Sequence, residues 1–174
     1  MKIGTTGKGI GTTYAGKALR MNLRMGDLLD ENSFNEKYNN FYNFVEKIFN
    51  IPPTPNNEKD QLIEFGRFAK DNNMIIDSTQ FIAEKIKAGK KILAEGANGA
   101  LLDIDHGTFP FVTSSNTTTG GICTGLGVPP QSIETIIGTV KAYTTRVGAG
   151  PLPSAMPQEL DELVRQKGGE FGVL

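Results

Sequence analysis

Between residues 96 and 127 glycine, threonine, serine and asparagine replace the regular apolar spacing found elsewhere in the chain. A non-repetitive stretch of that length inside a compact domain is either disordered or built for binding, because ordinary connections are short. Apolar groups punctuate it: Leu101-Leu102, Ile104 and Phe109-Pro110-Phe111-Val112. Such residues need burial, so the segment is expected to be ordered and folded back on itself. It is flanked by two runs that read as buried strands. Lys90 to Glu95 contains KILAE, and Ile133 to Val147 is rich in Ile, Val, Thr and Tyr.

The first half is helical in pattern. Residues 4–13, GTTGKGIGTT, form a Gly/Thr-rich loop, and a helix is expected from Tyr14 to about Asp30. Ser33 and Glu36 have the spacing of a capping box. Behind them Phe34, Tyr38, Phe41, Tyr42, Val45, Ile48 and Phe49 recur every three or four residues, on one helix face. Ile51-Pro52-Pro53-Thr54-Pro55 stops that helix, since proline supplies no backbone donor. Further helices are expected at about 57–72, from Asp77 or Ser78 to Gly89, and at about 158–167. The order of helices, strand, polar loop, strand and helix implies an α/β chain, with no internal repeat or linker dividing it. At 174 residues and 18.8 kDa it suits one domain or one lobe of a larger one. Neither end opens or closes on a capped element, so a longer parent polypeptide is expected.

Composition removes several classes of function. Eighteen basic against 19 acidic residues leave a net charge of -1, unlike the basic excess of a general nucleic-acid binder. No apolar run approaches the length of a membrane span, and the N-terminus lacks a signal-peptide core. A single cysteine, Cys123, excludes an internal disulfide and a multi-cysteine zinc site. A cytoplasmic location follows most simply.

Four segments have chemistry to offer. The glycines of GTTGKGIG let backbone N–H groups converge on an anion, although the spacing fits neither the Walker loop nor the dinucleotide fingerprint. Lys17, Arg20 and Arg24 are spaced to share a helix face, which reads first as solvated surface charge and alternatively as an anion site, since guanidinium forks suit phosphate. Thr113-Ser114-Ser115-Asn116-Thr117-Thr118-Thr119 is a run of hydroxyls and amides able to hold a phosphate, a ribose or a base edge. Asp103-Ile104-Asp105-His106 groups two carboxylates with the sole histidine, placing both carboxylates on one side of a strand. Structural hydrogen bonding or a substrate contact suits it better than a metal, because one imidazole is too few for a dedicated transition-metal cage. Cys123 reads as a small buried apolar residue.

Taken in order, GTTGKGIG, TYAGKALR, NLRMGDLL, ILAEGANGALLDIDHGTFPFVTSSNTTTGG, KAYTTRVGAGPLPS and EFGV resemble the adenylosuccinate synthetase family. The resemblance covers essentially the whole chain and is most specific from Glu95 to Gly121. It implies the central portion of a large mixed-sheet α/β fold with a helical subregion, so that residues 1–174 form part of a synthetase-like domain. It implies purine nucleotide biosynthesis: inosine monophosphate and L-aspartate joined at the expense of GTP, with Mg2+. It implies a homodimer.

The resemblance also assigns residues. Thr6, Asn98 and Thr113 match contacts to inosine monophosphate. Arg20 matches an arginine that reaches the nucleotide bound in the neighbouring subunit, and Lys17 is the catalytic position of the same motif. Two departures stand out. Thr12 replaces the usual proline, and nothing matches the family's WGDEGKGK loop, which holds the catalytic base, or the catalytic histidine that follows it. The magnesium ligands are therefore expected outside these residues, and the chain alone is expected to be inactive. The alternative is a non-catalytic truncated module for binding or dimerisation.

Overall fold

The computed structural model describes residue 4, residues 7–50 and residues 57–170. It divides into two compact units. One comprises Met1–Gly11 with Lys91–Leu174, and the other comprises Thr12–Lys90.

The second unit is helical. Helix α1, Ile10–Ala18, carries the chain into it. A 3-10 turn at Met25–Leu29 leads to α2, Glu31–Phe49, which is followed by α3, Asn57–Asp71, and α4, Ser78–Lys87. The 3-10 turn packs against both α2 and α3. Phe34 of α2 and Ala69 of α3 are buried. Gly66 sits so close to the turn that a Cβ there would stand 2.8 Å from the Leu28 carbonyl oxygen. The aromatic face read from the sequence is present in part as a ladder. Phe34 and Tyr38 lie 5.7 Å apart, and Tyr38 and Tyr42 stack at 6.1 Å. Arg67 of α3 donates to Glu31 of α2 at 2.8 Å, and Lys70 donates to the Leu29 carbonyl at 3.2 Å.

Two local expectations are corrected. Asp30, and not Ser33, caps α2: its carboxylate accepts the Ser33 N–H at 2.9 Å. Aspartate and serine are equally good caps, and the helix starts at the earlier of the two. The helix expected from Tyr14 to Asp30 begins earlier, at Ile10, and stops at Ala18. Past it, Arg20 N–H donates to Lys17 O and Met21 N–H to Gly16 O, a Schellman motif with Arg20 at the left-handed position, φ 61°. The proline-rich stop at 51–55 lies outside the described residues, while α2 ends at Asn50, φ 50°.

In the first unit the expected strands at 90–95 and 133–147 do not form, and no strand occurs among the described residues. A strand needs a neighbour along its length to satisfy its backbone, and in these segments only an isolated bridge at Arg146 forms. Their apolar side chains project outward: Leu93 is 87% exposed, Ile137 80% and Val140 90%. The long polar segment is ordered. It holds a 3-10 turn at Ala100–Leu102 and a short helix α5, Gly120–Leu126. Helix α6, Gln158–Gly168, ends at Gly169 with φ 63°, as the paired glycines imply.

Candidate functional site

Each unit carries part of what the sequence singles out. In the second unit a cavity of about 550 Å3 is lined by Lys17, Arg20, Arg24 and Lys37, with Asn22 and Asp27 beside them. The sequence had placed Lys17, Arg20 and Arg24 on one helix face. They do converge, but the helix ends before Arg20, and the turn after it brings the two arginines round. Asn22 fixes that turn, because its side-chain amide donates to the Thr13 carbonyl at 2.6 Å. It lies over Gly16, where any Cβ would overlap it. Of the lining groups, Asp27 is the anion: it pairs with Lys37 and accepts the Arg24 N–H at 2.7 Å. Burial pushes the Asp27 carboxyl up, but the Lys37 ammonium and the Arg24 N–H outweigh it and hold the group below the usual carboxylate range. The lining thus sets four basic side chains, Lys17, Arg20, Arg24 and Lys37, against one carboxylate. Asn22 and Lys37 were not flagged by sequence, since neither belongs to a run of like residues.

In the first unit three separated motifs meet. A Cβ at Gly4 would stand 2.8 Å from Gly148 Cα, and one at Gly11 would stand 3.3 Å from Ser114 Oγ. Gly4 therefore lies directly beside the 148–150 turn, and Gly11 beside the hydroxyl run. Thr6 lies outside the described residues. Thr113 is half-buried and Asn98 exposed, with Asn98 held at φ 68°.

The polar segment is folded double. Thr113 N–H donates to Leu102 O at 2.8 Å, and Ile104 N–H donates to Ser115 O at 3.2 Å. Thr117 Oγ1 donates to the Gly99 carbonyl at 3.0 Å, next to Asn98.

Two buried charges hold this arrangement, Asp103 satisfied within the loop and Arg146 by both the loop and its own turn. Asp103 is fully buried. One carboxylate oxygen accepts the N–H groups of Asp105 at 2.9 Å and His106 at 3.0 Å. The other accepts Thr117 N–H at 2.7 Å and Thr118 N–H at 3.4 Å. The His106 N–H bond is the largest influence on its acidity. Burial opposes it, the other three N–H groups add to it, and the carboxyl is held down at about 2. Arg146, also buried, is the converse. Its guanidinium donates to the carbonyls of Phe111 at 2.6 Å, Ala149 at 3.1 Å and Pro151 at 3.3 Å, and to Thr108 Oγ1 at 3.0 Å. It joins the 146–151 turn to the double loop, a role nothing in the sequence had indicated.

The strand expected under Asp103 and Asp105 is absent, and their alternation does not put them side by side. Asp103 points inward, while Asp105 is exposed and accepts from Asn116 at 2.6 Å. Among the described residues no group of three or more His, Cys, Asp or Glu side chains could hold a metal ion. Asp103 is committed to four N–H donors and Asp27 to Lys37, so neither carboxylate is offered to a cation. Also among them, no helix is long and apolar enough to cross a membrane.

Comparison with known proteins agrees with the motif order. The family profile of adenylosuccinate synthetase matches residues 1–174. The adenylosuccinate synthetase of Paramecium tetraurelia is 49% identical over 170 residues, covering 98% of this chain and 39% of the relative. That of Desulfitobacterium hafniense is 46% identical over 176 residues, covering 98% of this chain and 41% of the relative. The solved structure of a fully ligated adenylosuccinate synthetase from Plasmodium falciparum superposes with a TM-score of 0.92 at 37% identity, over 98% of this chain and 40% of that one. The chain thus spans about two fifths of the length of these relatives, and over that span it belongs to the adenylosuccinate synthetase family.

Proposed function

We propose that this chain supplies the inosine monophosphate-binding part of a ligase that joins inosine monophosphate to L-aspartate using GTP, the first step from that nucleotide towards AMP. The observation that carries this reading is the convergence, in one unit, of the Gly/Thr loop, the 96–118 segment and the 148–150 turn. Three motifs far apart in sequence approach one another there, Gly4 beside Gly148 and Gly11 beside Ser114.

The roles follow from the donors present. The Asn98 carboxamide both donates and accepts, which suits a base edge, and the Thr113 hydroxyl suits a phosphate or ribose oxygen. Thr6 completes the set. Arg20 extends a guanidinium fork from the basic cavity to the phosphate of a nucleotide bound in the second subunit of a homodimer, and Lys17 adds a compact charge as the catalytic residue of that motif. GTP phosphorylates the base oxygen, which then leaves as phosphate when the aspartate amine attacks. Fixed cationic donors favour such a transfer because negative charge develops on the moving group. Magnesium would neutralise phosphate charge when bound, and its ligands are proposed to lie in the parts of the relatives that this chain does not span.

The mixed sheet belongs to the same proposal. Residues 90–95 and 133–147 are its candidate strands, with neighbours in the parts of the relatives that this chain does not span. Turnover by these residues alone is not expected, and the site of action is proposed to be cytoplasmic.

The test is a calorimetric titration of the chain with inosine monophosphate, repeated with Asn98→Ala and Thr113→Ala. Saturable binding weakened about tenfold or more by each substitution is expected, since each removes a hydrogen bond to a charged or buried partner. Absence of binding by the unsubstituted, folded chain overturns the proposal.

A further inference from the structure

The buried carboxylate of Asp103 touches neither Asn98 nor Thr113, yet both hang from it. The segment between residues 99 and 118 is two arms folded together, and Asp103 stands on one arm with one oxygen aimed at each direction of the chain. Oδ1 closes the tight turn that follows, through Asp105 and His106 N–H. Oδ2 reaches across to Thr117 and Thr118 N–H, fourteen and fifteen residues on. Thr117 in turn bonds the Gly99 carbonyl, adjoining Asn98. On the other side Thr113 N–H bonds the carbonyl of Leu102, the residue before Asp103. Burying an ionised carboxylate without compensation is costly, and here the N–H groups of both arms provide the compensation. The arms cannot separate without stranding that charge.

We propose that Asp103 is a positioning residue for nucleotide binding: by gathering N–H groups from both arms, its carboxylate sets the spacing between Asn98 and Thr113. This rests on the functional reading above and deepens it. The requirement is for charge as well as shape. An asparagine has the same outline, but its NH2 would face one of the two N–H pairs and push the arms apart. Neighbouring polar groups do not share the role. Asp105 is exposed, and its carboxylate accepts from Asn116, bridging two residues at the loop surface. Arg146 fixes the outer side of the loop through Thr108 and Phe111.

Two measurements test the proposal. Amide hydrogen exchange at residues 105, 106, 117 and 118 is compared between the chain and Asp103→Asn. Steady-state kinetics are then measured in the Paramecium tetraurelia synthetase with residues 1–174 of this chain in place of its matching portion. Asp103→Asn is expected to accelerate exchange at Thr117 and Thr118 about tenfold or more. It should also raise the KM for inosine monophosphate about tenfold, while the KM values for GTP and aspartate stay within about twofold. Faster exchange with an unchanged KM for inosine monophosphate would make Asp103 merely structural and overturn the proposal. So would a uniform loss of active enzyme with all three KM values intact. If Asp103→Asn does not accumulate as folded protein, Thr117→Ala carries the test. It removes the hydroxyl bond to Gly99 and spares the carboxylate, so an unchanged KM for inosine monophosphate would again refute the link. Failure of the unsubstituted protein to bind or convert inosine monophosphate is a different result: it removes the functional reading itself, and the positioning role with it.

Discussion

Arg20 is an arginine where the chain geometry asks for glycine. It occupies the left-handed position that closes a Schellman motif, with φ 61°. A side chain there costs on the order of 1–2 kcal/mol against the right-handed region. Strain of this kind persists where a side chain is needed for something other than folding. Arg20→Gly should therefore stabilise the second unit by about 1 kcal/mol, read as a higher denaturant midpoint at unchanged slope; on the proposed shared-site reading it should also weaken binding of inosine monophosphate. A midpoint that falls would show that no strain is stored there. Asp103 permits a second test at this scale. Its carboxyl is held at about 2 against 3.8 when unperturbed. A depressed native value means that the ionised form contributes stability above about pH 4, and that this contribution is lost as pH falls through 2. The stability gap between the chain and Asp103→Asn should be widest above pH 4 and narrow progressively towards pH 2. A gap independent of pH between 5 and 2 would contradict the buried-charge geometry.

The helices of the second unit were largely legible because their signals are local. Aromatic spacing marked α2, and Asp77 marked α4, where it accepts the N–H groups of Thr79 and Gln80 at 3.0 Å. The end of α1 was not legible. Nothing at Lys17, Ala18 or Leu19 breaks a helix; the stop comes from Asn22, whose amide reaches back to Thr13 across nine residues. The first unit was legible as a set of motifs and opaque as geometry. Interspersed apolar residues marked the long polar segment as ordered, but Asp103 and Arg146 act mainly through backbone groups, which no residue pattern reveals. The Asn22 contact gives a testable coupling. Gly16→Ala should destabilise by about 1–3 kcal/mol because its Cβ meets the Asn22 side chain. Asn22→Ala alone should cost about 1 kcal/mol for the lost hydrogen bond. In the double variant the clash has no partner, so the loss should fall short of the sum by roughly 1 kcal/mol or more. Additive losses in chemical denaturation would place the end of α1 elsewhere.

At the scale of the whole molecule the outward-facing apolar side chains decide between two pictures. Leu93 and Val140 are 87% and 90% exposed, on segments whose composition belongs in a sheet. If those segments are surface in every context, a lysine at either position is a solvated charge wherever it is placed. If they are strands awaiting neighbours, the same lysine is harmless in this chain and damaging once the neighbours are present. Leu93→Lys and Val140→Lys should shift the stability of the 174-residue chain by no more than about 0.5 kcal/mol, as exposed substitutions do, and should raise its solubility. In the Paramecium chimera each should cost more than about 2 kcal/mol, because an ammonium would be driven into a sheet packed on both sides. Thermal denaturation of the four proteins separates the cases. Equal, negligible shifts in both contexts would remove the sheet from the proposed architecture. A large loss confined to the chimera would show that the apolar surface displayed here is an interior face of the complete enzyme.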